Sequence, residues 1–255
     1  QIGTNESITE YRYRGASPKN YVTFNNEVWR IIGVFKADDG TGKIENRIKL
    51  IKDQSIGKKF WDTGDSNNWA RPSTLNTELN TTYLNSLDST SKSMIGQVKY
   101  YLGGKNVTNN NGYVDTPLQF YSYERKIQNT TSNEFYNGTN PNSWVGKLGL
   151  MYLSDYGYAS SNCENKKLYD ANSSSNDIRA CNTTNWLYNI KVDELLLPQR
   201  ASDSSRAFYV RSVGFVYDVY ASDDQLAVRP VLYLISSVKI TGGNGTSSSP
   251  YTLGL

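Results

Sequence analysis

The chain has 255 residues, a formal net charge of +3, 20 tyrosines, 5 tryptophans and no histidine. Without histidine, Ser-His-Asp and Cys-His catalysis, histidine-bearing zinc sites and histidine proton shuttles are excluded. The lysines and arginines are scattered among acids, which argues against a nucleic-acid footprint, and no run of about 18 apolar residues is present to span a membrane.

The first third reads as strands. Residues 11–14 alternate weakly. Residues 21–24 and 27–35 flank Asn25 and Asn26, which tolerate positive φ, and so predict a hairpin. Residues 28–35 are apolar on both faces except at Arg30, so this is expected to be a central strand with neighbours on both sides. After a turn at 38–42, residues 47–53 alternate and predict the next antiparallel strand. A polar loop, 62–68, lies between Trp61 and Trp69. The period then changes. Leu75, Leu79, Tyr83 and Leu87 recur every fourth residue behind Ser73, which predicts a helix over about 74–87 with Ser73 as its N-cap. Residues 94–102 fit helix or strand, 106–112 a loop, 117–127 a weak helix and 129–142 a loop. Residues 144–153 read as a strand whose Gly146 and Gly149 imply a bulge or a close approach. Later strands are expected at 207–210, 213–217, 228–234, 238–241 and 249–253. Strands early and late, with helices and long loops between, make an α+β fold, read as a single domain over residues 1–255 with the terminal strands in one sheet.

The two cysteines, Cys163 and Cys181, sit in a stretch of Asn, Ser, Asp and Lys with no further soft ligands nearby. They read as a disulfide rather than a metal site or free thiols, and a disulfide points to an exported protein. We expect Gln1 to follow a removed export or anchor segment. Asn-x-Ser/Thr triplets such as those at Asn80 and Asn106 are expected by chance in so Asn-rich a chain.

The order of several stretches resembles a C-type-lectin-like fold, and more closely the uncharacterised secreted or pilin-like bacterial surface proteins that carry such a domain. The stretches are 13–24 (YRGASPKNYVTF) with 29–33 (WRIIG), 149–159 (GLMYLSDYGYA), 214–234 with its VRPVL, and 240–246 (ITGGNGT) with 250–253 (PYTL). The resemblance implies a fold and a location at the cell surface or outside the cell; it implies no particular ligand. The Glu-Pro-Asn or Gln-Pro-Asp loop and the Trp-Asn-Asp that hold calcium in sugar-binding lectins of this fold are absent.

Trp61, Trp69, Tyr136, Trp144, Tyr156, Tyr158 and Trp186 are interleaved with Asn, Asp and Ser, a mixture of stacking faces and hydrogen-bonding groups suited to neutral sugars or polar protein surfaces. They are the candidate ligand-binding set, with core packing as the alternative for each ring. Arg229 and Trp29 are expected to be structural, Arg229 by tying loop carbonyls with its five donors. No cofactor is expected. Asp218, Asp223 and Asp224 offer hard oxygen ligands for calcium, as do Asp62, Asp65 and Asn67, with a solvated turn as the favoured reading. Glu27 and Asp53 as a glycosidase pair are disfavoured, since nothing brings them together. The expectation is a non-enzymatic extracellular module that binds a glycan or protein. The alternative is a subunit that assembles with copies of itself into a pilus-like appendage.

Overall fold

The computed structural model describes residues 10–104, 116–125, 140–168, 181–188, 192–201, 203–223 and 225–255. It is a mixed α+β structure, mostly sheet with short helices. Strand β1 (Tyr11–Arg12) precedes β2 (Tyr21–Phe24) and the long β3 (Glu27–Asp38). Asn25 and Asn26 join β2 to β3, with φ of 54° and 57°. Two successive left-handed residues match the right-handed twist of the strands, and asparagine tolerates the conformation, so the predicted hairpin forms. β3 pairs on its other side with β4 (Ile44–Lys52), with a register shift between Ile31 and Gly33. β1 lies so close to that point that a Cβ at Gly33 would sit 2.1 Å from the Tyr11 carbonyl oxygen. Glycine is required there for the chains to meet.

After the short β5 (Lys58–Lys59) comes one continuous helical stretch. It runs through α1 (Thr74–Thr77), a π-helical stretch Glu78–Tyr83, and α2 (Leu84–Ser86). Ser73 caps it by accepting from the Asn76 amide. The span and the cap are as the spacing predicts; the π widening is not. It coincides with Asn80, whose side chain donates to the Leu148 carbonyl and accepts from the Lys147 and Leu148 amides. That side chain acts as an extra rung between helix and sheet. A short helix α3 (Ser89–Met94), capped by Asp88, leads into β6 (Ile95–Gly96) and β7 (Val98–Tyr101). The helical pattern past residue 117 is α4 (Pro117–Arg125).

The predicted 144–153 strand is broken. It becomes β8 (Ser143–Gly146) and β9 (Leu148–Gly149), and then helix α5 (Leu153–Tyr158) begins. The cause is Asp155, whose carboxylate accepts from the Tyr152 amide and starts a helix where the apolar run suggested a strand. A strand unforeseen from sequence, β10 (Glu194–Gln199), is buried along its whole length. It is followed by β11 (Arg206–Val210) and β12 (Val216–Tyr220). Val213 lies in the turn before β12, where Gly214 has φ of 92°, so the expected 213–217 strand starts later. β13 (Leu226–Ala227), β14 (Val231–Leu234), β15 (Lys239–Gly242) and β16 (Thr252–Gly254) complete the chain.

Among the described residues the larger sheet runs β1-β3-β4-β14-β6, with β2 also on β3 and β9 also on β14. Early and late strands therefore share one sheet: Val231, Leu232 and Tyr233 face Ile51, Leu50 and Lys49 across an antiparallel ladder. A second sheet runs β12-β11-β10-β13-β5, with β10 and β13 parallel. One hydrophobic cluster packs both sheets together. The Cys163–Cys181 disulfide is present, with Cα atoms 5.0 Å apart.

Candidate functional site

The rings expected to face a ligand are packing groups instead. Trp61 and Trp69 are 0% and 1% exposed, and meet edge to face at 5.3 Å. The Trp61 Nε1 donates to the Leu196 carbonyl. Tyr156 and Tyr158 are 1% and 2% exposed. The Tyr156 hydroxyl is spent on the Gly214 carbonyl and Asn182, and Tyr158 lies under the guanidinium groups of Arg12 and Arg14. Trp186 donates to the Tyr13 carbonyl and packs under Arg30. Trp144 is half-buried against Trp69 and Tyr100, with the bare Cα of Gly146 beneath its ring. Large rings gain most by burial, and the Trp61 and Trp186 indoles and the Tyr156 hydroxyl find internal partners, whereas the buried Trp69 Nε1 has none among the described residues. Tyr136 lies outside the described residues.

The solvated-turn reading fails for Asp218. Asp218 is buried and accepts from Arg200 and Arg206, both at 3.0 Å, so two guanidinium groups already neutralise it. Asp223 is exposed and Asp224 lies outside the described residues. Asp62 accepts from the Thr74 amide and from Arg71, and Asn67 donates to the carbonyls of Arg200, Asp203 and Arg206. No group of three or more acidic, cysteine or histidine side chains is placed to hold a metal ion among the described residues. Glu27 pairs with Lys52 and Asp53 with Arg30. Arg229 makes a bidentate contact with the buried Glu194 at 2.7 and 2.8 Å and donates to the Leu187 carbonyl. Trp29 is fully buried against Phe24.

What the fold assembles instead is a buried charge network where β1, β4, α4 and α5 converge. Lys49, 0% exposed, donates to Asp155. Arg12 donates to the other oxygen of Asp155 at 2.8 Å and to Glu10 at 2.8 and 3.2 Å. Glu124 accepts from the amide and hydroxyl of Ser154, and Arg125 donates to Glu124 at 3.2 Å. The Tyr121 hydroxyl donates to Glu10 at 2.8 Å. Rings of Phe35, Tyr152 and Tyr233 surround the Lys49 ammonium at 4.4–5.4 Å. Burial alone would raise the Asp155 carboxyl, but Lys49 and Arg12 outweigh it and hold it down at about 2. Burial lowers Lys49, which Asp155 only partly offsets, and pushes Glu124 up to about 7.

Beside this network opens a cavity of about 390 Å³. Phe35, Tyr101, Tyr121, Tyr152 and Tyr233 supply its aromatic surface, and Glu10, Lys36, Asp38, Lys99 and Arg125 its charged groups. The last turns of β3, the strand β7 and the end of α4 place these residues. Its acids are engaged: Glu10 by Arg12 and Tyr121, Asp38 by the amides of Gly40 and Gly42. The side chains of Lys36 and Lys99 make no hydrogen bond or ion pair among the described residues. The network and the cavity were not legible in the sequence. The alternation over 47–53 predicts the strand but not the burial of its cations, Arg47 and Lys49.

No family model, no curated protein and no solved structure matches this chain.

Proposed function

We propose that the protein is a non-enzymatic, extracellular binding module with a C-type-lectin-like domain, and that it binds a glycan in the cavity beside the Lys49–Asp155 network. The observation that carries this reading is the cavity itself: tyrosine rings next to polar groups, in a concave site of the size small-ligand pockets usually have. The disulfide supports an oxidising compartment. The sheet shared by the terminal strands supports the lectin-like resemblance. Of the two carboxylates at the cavity, Glu10 is held by Arg12 and the Tyr121 hydroxyl and Asp38 accepts two backbone amides in a turn, an arrangement that supports binding rather than hydrolysis. The test is a glycan array with the wild-type chain and Tyr101→Ala. Binding should be seen and lost in the variant, whose melting temperature stays near the parent's because Tyr101 is only half-buried. An array blank for the folded wild type defeats the reading.

A second reading, assembly of copies into a surface appendage, draws on Tyr11 at the sheet edge and Ile240 and Leu255 at the C-terminal hairpin, which are 68%, 47% and 67% exposed. Sedimentation across a concentration series tests it.

A further inference from the structure

Resting on that reading, we infer that the cavity selects a sugar bearing a carboxylate, such as a uronic or sialic acid, with Arg125 and Lys99 as the residues that recognise the anion. The balance of uncommitted charge carries this. Glu10 is paired with Arg12 and Arg125 and Asp38 accepts two backbone amides, while the Lys99 side chain lines the cavity with no hydrogen bond or ion pair among the described residues. An ammonium at the cavity with no counter-ion among the described residues is available to pair with an anionic ligand.

Arg125 adds geometry. Its guanidinium lies over the Tyr121 ring at 3.5 Å, and its side chain is 20% exposed. Nη1 is committed to Glu124 and the Tyr121 carbonyl. Nη2 forms an ion pair with Glu10 at 3.8 Å, longer than a hydrogen bond, and neither Nη2 nor Nε donates a hydrogen bond to any described residue. Two donors of a planar fork therefore remain for an oxyanion, which is the geometry that carboxylates accept in bidentate fashion. The stack on Tyr121 fixes the plane of that fork before any ligand arrives. Tyr101, half-buried at the same cavity, supplies a ring face for the C–H face of a pyranose. An acidic peptide would satisfy the same cations. The tyrosine-lined cavity favours the compact ring of a sugar over an extended chain.

The experiment is an NMR and calorimetric titration of the full chain at low ionic strength. The probes are methyl glucuronide, N-acetylneuraminic acid, methyl glucoside and an Asp/Glu peptide. Variants are Lys99→Met, which breaks no side-chain hydrogen bond or ion pair among the described residues, and Arg125→Gln. At least one acidic sugar should bind roughly tenfold more tightly than methyl glucoside, the scale of one charge-assisted contact. Lys99→Met should lower that affinity several-fold and leave the glucoside unchanged, and added salt should weaken only the acidic sugar. Equal affinity for glucuronide and glucoside, insensitive to Lys99→Met, overturns the anion selectivity while the glycan-binding reading stands. Binding of the peptide and of no sugar, or of no probe at all, overturns both.

Discussion

Lys49 and Asp155 are 106 positions apart in the chain, and each is within 1% of complete burial where they meet. Asp155 serves twice more at the same point, accepting from Arg12 and starting α5 through the Tyr152 amide. One carboxylate thus neutralises two cations and caps a helix. Asp155→Asn should strand Lys49 in a dry site, while Arg12 keeps Glu10, and destabilise by about 3–5 kcal/mol in urea unfolding. Lys49→Met leaves Asp155 paired with Arg12 and should cost less than half as much. Equal losses would show that the lysine, not the carboxylate, organises the network.

The pH dependence follows from Glu124. Its folded value of about 7 lies above its ordinary 4.5, so the folded state holds the proton more tightly. This contribution to stability is fully present below pH 4.5 and is lost as pH rises through 7. Glu124→Gln, which cannot ionise, should flatten the fall in melting temperature over that window. Asp155 acts at the other end. Its value of about 2 lies below the ordinary 3.8, so its contribution holds above pH 3.8 and disappears as pH falls toward 2. A Glu124→Gln variant whose melting temperature tracks the parent at every pH between 5 and 8 would rule Glu124 out as the source.

Trp69→Ala should lower stability by about 3–5 kcal/mol, the usual cost of emptying a core aromatic site. It should do so without directly removing a ligand contact, because Trp69 packs between Trp61 and Trp144 away from solvent. Calorimetry, followed by ligand titration at a temperature where the variant is still folded, separates the two effects.

Replacing both Cys163 and Cys181 by Ala should cost about 3 kcal/mol, given their sequence separation of 18. Intact mass with alkylation, with and without reductant, verifies the bond first, since two alkylatable thiols in the unreduced protein would remove its premise.

Local chemistry was readable from the sequence, and long-range convergence was not. Asn25 and Asn26 announce their turn because φ is a property of the residue itself. Ser73 announces its cap for a similar reason. Leu195, Leu196 and Leu197 of β10 were overlooked, because a strand buried on every side has no alternation to detect. The tryptophans misled in the opposite sense. They stand beside polar residues in sequence, but those residues turn to cap backbone while the rings turn inward, as Asp62 and Trp61 do. The cavity was invisible because Glu10, Lys99 and Arg125 carry no motif and meet only after β3, β7 and α4 have packed.

Strand β14 pairs with β4 on one side and with β6 and β9 on the other, and it begins only at Val231. A chain made from its N-terminus, or drawn through a translocation pore in that direction, delivers β14 long after β4. Until then β4 is an unpaired edge with an apolar face, the kind of surface on which nascent chains aggregate or pair with one another. The strand order therefore sets a timing requirement. The open edge of β4 must be kept apart from its neighbours until β14 arrives, and any product that stalls or is clipped before residue 231 keeps that edge open.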